Sequence, residues 1–327
     1  MPYANHKRLR SLVLQCALGM LIYAAAAGGA LAATCSVDVD ALNFGSVDTL
    51  SGNTADATAE VSISCTAVST GVTAVTLCGN LGEGSGGTTS GGTRTMASGA
   101  NTLAYQLYSD SGRGARWGSY DNTALGQPRT IRLTASDGTA NGSVTLYGAL
   151  PAGQASAATG TYLSSFSNAD VRFYYEEGTT LDCTAPTAAT LAQASFTAQA
   201  TVAANCLITV EDIDFGVQGL IDTEVTATGG VDVTCTPNSS YSIAMDGGLS
   251  GATDPEKRLM RSGNNTITYG LYANSAHTLP WGATGNRLVT GTGAGAVQSI
   301  DVFGRVPPQS AASGQYSDTV VVTITYF

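Results

Sequence analysis

The chain repeats itself, and that constrains its fold more than any other feature. Cys35 and Cys65 match Cys206 and Cys235 at nearly equal spacing, and Asn43-Phe44-Gly45 matches Asp214-Phe215-Gly216. Arg94-Thr95-Met96 is echoed by Arg258-Leu259-Met260. Leu103-Ala104-Tyr105-Gln106-Leu107-Tyr108 is echoed by Ile267-Thr268-Tyr269-Gly270-Leu271-Tyr272, and Trp117-Gly118 by Trp281-Gly282. Tyr147-Gly148, Pro151 and Gly160-Thr161-Tyr162 then answer to Phe303-Gly304, Pro307 and Gly314-Gln315-Tyr316. Ordered matches at a slowly drifting offset mean one structural unit made twice, each copy with its own core.

Within a copy, short runs alternate apolar and polar residues, the period of a strand with one buried face. In the first copy they fall near 36–40, 59–64, 73–78, 103–108, 129–134, 142–148 and 170–175. Short strands separated by Gly-rich turns, with charge sparse and long helical periodicity missing, predict an all-β protein. The expected architecture is two tandem immunoglobulin-like antiparallel β-sandwiches. The first module is expected over 34–185, a linker over 186–205 and the second module over 206–327. Aromatics shared by both copies (Tyr105 and Tyr269, Trp117 and Trp281) are expected in the cores.

The linker holds the clearest strand signal in the chain. Ala192, Ala194, Phe196, Ala198, Ala200 and Val202 are apolar, and Gln193, Ser195, Thr197, Gln199 and Thr201 between them are polar. A helical period would scatter those apolar residues around the cylinder. The last run of the first copy, near 170–175, is thus followed by a candidate closing strand. The matching run of the second copy has Val320, Val322, Ile324 and Tyr326 on one face, and the sequence stops at Phe327 with no such strand behind it. The second module is therefore expected to lack its final strand, with Val320, Val322, Ile324 and Tyr326 bordering an open apolar groove. An unpaired edge of this kind invites a strand from another chain.

Residues 1–33 read as a secretory signal peptide. Lys7, Arg8 and Arg10 precede the apolar stretch 12–27, and Ala30-Leu31-Ala32 is a small-x-small cleavage signal. Removing those three of the 14 basic residues leaves eleven against 24 acidic ones, which disfavours nucleic acid as a partner. Cys16 leaves as well. The six remaining cysteines, an even count in an exported chain, read as disulfides. Cys35–Cys65 and Cys206–Cys235 are the equivalent pairs. Cys78 and Cys183 have no counterparts and are expected to bridge each other, with two other pairings of the first four cysteines formally open.

Catalysis finds little support. With His277 the one histidine beyond the leader, histidine-based triads and metal sites have little to draw on. Glu176-Glu177 and Glu211-Asp212 are adjacent pairs, and neighbours in a strand face opposite ways. Calcium binding by Asp38, Asp40, Asp212 or Asp214 is a weaker reading than solvated acids, and Gly291-Thr292-Gly293-Ala294-Gly295 lacks the strand-to-helix context of a nucleotide loop. No catalytic residue, metal or cofactor is expected.

The Cys…Phe-Gly…Cys…Tyr-x-Leu-Tyr…Trp-Gly…Gly-x-Tyr pattern, with a last strand ending in Tyr-Phe, resembles the spore coat protein U domain. That domain is the pilin module of archaic, Csu-type chaperone–usher pili. The resemblance covers essentially the whole mature chain, twice. It implies donor-strand complementation. A periplasmic chaperone would first lend a strand to the second module, and an outer-membrane usher would exchange it for the N-terminal extension of a neighbouring pilin. Cleavage near Ala33 leaves almost nothing before Cys35 to donate outward, so the implied role is the tip adhesin, exported through the periplasm to the distal end of a pilus. It would mediate attachment to an abiotic surface or host ligand, or biofilm formation. An adaptor or shaft subunit without its own ligand, and a stand-alone secreted coat or matrix protein, are the alternatives.

The first copy is longer in two places. Cys65 to Arg94 spans 29 positions against 23 from Cys235 to Arg258, and Trp117 to Tyr147 spans 30 against 22 from Trp281 to Phe303. Insertions in loops are where binding is usually carried. Leu81, Tyr120 and Leu125, apolar side chains within them, are the candidate contacts at the tip.

Overall fold

The computed structural model describes residues 33–327; the leader read at 1–33 lies outside them but for Ala33. Ten strands build the first module. They are β1 (Thr34–Val39), β2 (Leu42–Val47), β3 (Ala55–Thr66), β4 (Ala74–Leu81), β5 (Arg94–Ser98), β6 (Asn101–Tyr108), β7 (Arg129–Thr134), β8 (Ala140–Leu150), β9 (Gly160–Glu177) and β10 (Thr190–Val202). One face runs β1-β3-β8-β6-β5, and the other carries β7, β4, β9, β10 and β2. A single pairing between Ala97 and Leu163 joins β5 to β9, so the sheet wraps into a sandwich.

The second module has eight strands: β11 (Cys206–Val210), β12 (Val225–Cys235), β13 (Ser240–Met245), β14 (Arg258–Ser262), β15 (Asn265–Tyr272), β16 (Val289–Thr292), β17 (Gln298–Val306) and β18 (Val322–Tyr326). They form a five-stranded sheet, β11-β12-β17-β15-β14, and a three-stranded one, β16-β13-β18. The all-β, immunoglobulin-like architecture expected from the alternating runs is what the chain adopts.

The cores follow the repeat. Trp117 and Trp281 are fully buried, and their indole N–H groups donate to Gly79 O at 2.8 Å and Ile243 O at 3.0 Å. Beneath each tryptophan lies a buried arginine with no acidic partner. Arg94 donates to Gly82 O (2.8 Å), Leu81 O (2.7 Å), Trp117 O (3.0 Å) and Gln106 Oε1 (2.5 Å). Arg258 donates to Asp246 O (2.8 Å), Pro255 O (2.7 Å), Met245 O (3.2 Å) and Trp281 O (2.8 Å). A guanidinium has five N–H donors in a fixed fork, so it can gather loop carbonyls that would otherwise be buried unpaired. Burial lowers both guanidinium pKa values, that of Arg94 to about 10. The repeated Arg-x-Met motif is therefore a structural clamp.

Disulfides close Cys35–Cys65 and Cys206–Cys235 at sequence separations of 30 and 29, and Cys78–Cys183 at 105. The last ties β4 to the connection that leads into β10.

The modules meet through a short connection, 203–205. The Asn205 side-chain amide donates to Asp48 Oδ2 at 2.9 Å, and the Thr159 N–H donates to Pro237 O at 3.0 Å.

Candidate functional site

β10 is the organising strand of the first module. It runs antiparallel to β9 from Thr190↔Tyr175 to Val202↔Gly160, and parallel to β2 from Ala198↔Leu42 to Val202↔Val47. Its inward residues Ala192, Ala194, Phe196, Ala198, Ala200 and Val202 are all buried, and Ala198 and Ala200 are essentially inaccessible. Alanines fit here because β9 and β2 supply the bulk: Leu42, Phe44, Tyr162, Phe166, Val171 and Phe173 are all buried around them. Phe196, the one large inward side chain, lies flat on Phe166. β10, the candidate closing strand within 186–205, pairs on both edges, with β9 and with β2.

The same slot in the second module is open. Its two walls are in place. Phe44 packs edge-on to Tyr105 at 6.3 Å, and Phe215 packs edge-on to Tyr269 at 6.3 Å. Phe44 needs the bare backbone of Gly148, and Phe215 that of Gly304; a Cβ at either glycine would come within 2.8 Å of the ring. So segment 211–217 occupies the place of β2, with Ile213 and Phe215 standing for Leu42 and Phe44. On the other wall, β13 pairs with β18 through Ile243↔Ile324 and Met245↔Val322, as β4 pairs with β9 through Gly79↔Phe173 and Leu81↔Val171. Val322, Ile324 and Tyr326 thus stand for Val171, Phe173 and Tyr175.

Between these walls, among the described residues, there is no strand. β18 is an edge. Residues that the first module buries are uncovered here: Ile213, Phe215, Val320, Val322 and Ile324 are only half-buried. Val210 is 56% exposed where Val39 is 5% exposed, and Tyr326 is 40% exposed where Tyr175 is 5% exposed. Secondary structure changes with the missing partner. β9 runs for 18 residues, but β18 runs for only five, and 211–217 forms no ladder at all. Backbone N–H and C=O groups hold strand geometry where a neighbour pairs with them. Val320, expected in the last strand, precedes β18 and sits where Phe166 sits in the first module.

The candidate tip residues fare differently. Leu81 and Leu125 are corrected: neither can touch a ligand, since both are almost completely buried. Leu81 is the last residue of β4, the counterpart of Met245, and its carbonyl is one of those held by Arg94. Leu125 closes a short 3-10 turn, Thr123–Leu125, and faces inward. Tyr120 is half-buried, edge-on to Tyr174 at 5.7 Å and under the Arg172 guanidinium at 5.6 Å. Arg172 is held there by Asp121 at 2.8 Å. Burial works to raise the Asp121 pKa, but hydrogen bonds from Ser119 and Arg172 bring it below the usual carboxylate range.

The acidic residues form no metal-binding group among the described residues. Glu211, Asp212 and Asp214 are exposed along the rim of the open slot, a feature the sequence alone did not connect with it.

One sandwich closed by its own internal strand is followed by one whose equivalent slot holds no strand among the described residues. The model of the Spore Coat Protein U domain matches residues 22–167 and 192–323, and the chain belongs to that family. It is not an enzyme. Protein U of Myxococcus xanthus is 32% identical over 117 residues, 34% of this chain; the match spans 65% of that relative's length. Among solved structures, the chaperone–tip adhesion subunit pre-assembly complex of the archaic chaperone-usher Csu pili of Acinetobacter baumannii has a chain that superposes with a TM-score of 0.52. The identity is 20%, covering 89% of this chain and 99% of that one. The CupB6 tip adhesin of Pseudomonas aeruginosa aligns over 90% of this chain and 93% of its own at 12% identity and a TM-score of 0.38. At 20% identity the likeness to the Csu pilus complex chain is one of fold, that of a chaperone–usher pilus subunit.

Proposed function

We propose that this chain is the two-domain tip adhesin of an archaic chaperone–usher pilus, assembled by donor-strand complementation. One observation carries the reading: β10 fills the first module, while the equivalent slot of the second module has both walls and no occupant among the described residues. Such a subunit accepts a strand at its second module and spends its own internally. A periplasmic chaperone would cover the slot before an outer-membrane usher exchanges it for a neighbouring pilin's N-terminal strand. The first module would then be presented outward on the cell surface, for attachment or biofilm formation. The similarity in fold to the subunit of a chaperone–tip adhesion complex supports this order of events.

The test is periplasmic expression of the exported chain with and without its cognate chaperone. The expected result is a 1:1 complex that depends on Val322 and Ile324, with aggregation when the chaperone is withheld. A stable monomer that ignores the chaperone would mean a closed second module, and the pilus reading would fall with it.

A further inference from the structure

The two slots differ in charge. β10 contains no charged residue, and its outward positions lie between uncharged neighbours on β2: in the parallel register Gln199 faces Asn43, which places Thr197 beside Ala41. In the second module the counterparts of Ala41 and Asn43 are Asp212 and Asp214. Asp214 caps the same turn as Asn43, accepting the N–H of Gly216 at 2.7 Å as Asn43 accepts that of Gly45 at 2.8 Å. Both aspartates are exposed, as is Glu211 before them.

No cation of the module compensates this rim. Arg258 is buried under Trp281. Arg305 pairs with Glu224, and Lys257 and Arg287 lie beside Asp254. Arg261 is on β14, bridged to Ser317. On the opposite wall, the position of Arg172 is taken by Thr323. Any strand that enters the second slot in the register of β10 therefore sets two outward side chains next to two unpaired carboxylates.

We propose that the occupant of the second slot is a segment of another protein that carries lysine or arginine at the two outward positions matching Thr197 and Gln199. The chain's own β10 sequence is then a poor occupant, which discourages copies of this chain from filling one another. The proposal rests on the open-slot reading above and adds a charge rule to it.

The test refolds the full oxidised chain by dilution in the presence of 13-residue peptides and scores soluble monomer against peptide concentration. One peptide has the β10 sequence, a second carries Thr197→Lys and Gln199→Lys, and a third carries Thr197→Glu and Gln199→Glu. Two partly exposed ion pairs should let the lysine peptide rescue the chain at about tenfold lower concentration than the β10 peptide. The glutamate peptide should be the weakest. The lysine advantage should vanish in about 0.5 M salt, and in a chain carrying Asp212→Asn and Asp214→Asn. Equal rescue by all three peptides would overturn the charge rule and leave the open slot standing. Preference for the β10 peptide would also overturn it, in favour of a second copy of this chain as donor. If the chain stays a soluble monomer and binds no peptide, the open slot and the charge rule fail together.

Discussion

Phe166 and Phe196 stack face to face, their ring centroids 4.3 Å apart and their planes 7° from parallel. One belongs to β9 and the other to β10, and the pair sits where a β-bulge interrupts the register between the two strands. It is the one point at which a strand of alanines holds the sandwich with a large side chain. Phe196→Ala should therefore destabilise the first module by about 3 to 5 kcal/mol, the cost of a large core truncation. Denaturant unfolding of the full chain reads this as an earlier first transition. Thr197→Lys, one residue away on the outward face, should leave that transition unmoved.

Arg94 and Arg258 make a matched test of the carbonyl clamp. Lysine at either position keeps the charge but offers a single ammonium in place of a planar fork, and it cannot reach carbonyls on both sides of the tryptophan. Arg94→Lys should cost the first module about 3 kcal/mol, and Arg258→Lys a similar amount in the second. Each variant should shift its own module's melting transition and spare the other.

Cys78–Cys183 closes the longest loop, 105 residues against 29 for Cys206–Cys235. Chain-entropy reasoning assigns roughly 5 kcal/mol to a loop of this length and about 3 to 4 kcal/mol to the shorter ones. Replacing both Cys78 and Cys183 with alanine should lower the denaturant midpoint of the first module. It should also raise hydrogen exchange in β10, which the bridge anchors through the preceding connection. Unchanged exchange in 190–202 would show that the pairing with β9 and β2 holds β10 without the bridge.

Most of this architecture could be read from sequence because it rests on local alternation. The run from Ala192 to Val202 declares a strand with one buried face, and the repeat supplies its context. β2 escaped notice because its alternation of Leu42 and Phe44 breaks at Gly45, which takes a positive φ of 69°. β5 escaped because its inward face begins with Arg94, a charge in a core position that only its carbonyl partners explain. Leu81 and Leu125 were misplaced for a related reason. Length differences between the copies locate inserted residues, but they do not tell which inserted side chains turn inward. The acidic rim was invisible as a site because Asp212 and Asp214 acquire meaning only from the parallel register of β10 with β2, a contact between residues more than 150 positions apart.

Tyr105 links the closed core to pH. Burial pushes its hydroxyl from 10.0 up to about 12. The unfolded chain gives up this proton first, so the tyrosine's contribution is complete below pH 10 and is lost as pH climbs toward 12. Two pH units correspond to about 3 kcal/mol, enough to matter in a domain of ordinary stability. Tyr269 is raised as well, by burial and by its 2.6 Å hydrogen bond to Asp318, so the second module should weaken over the same alkaline range and beyond. Denaturant midpoints measured from pH 9 to 12 should fall for both modules. Tyr105→Phe keeps the ring and removes the proton, and should flatten the fall in the first module alone. A slope unchanged by that substitution would place the alkaline loss elsewhere in the core.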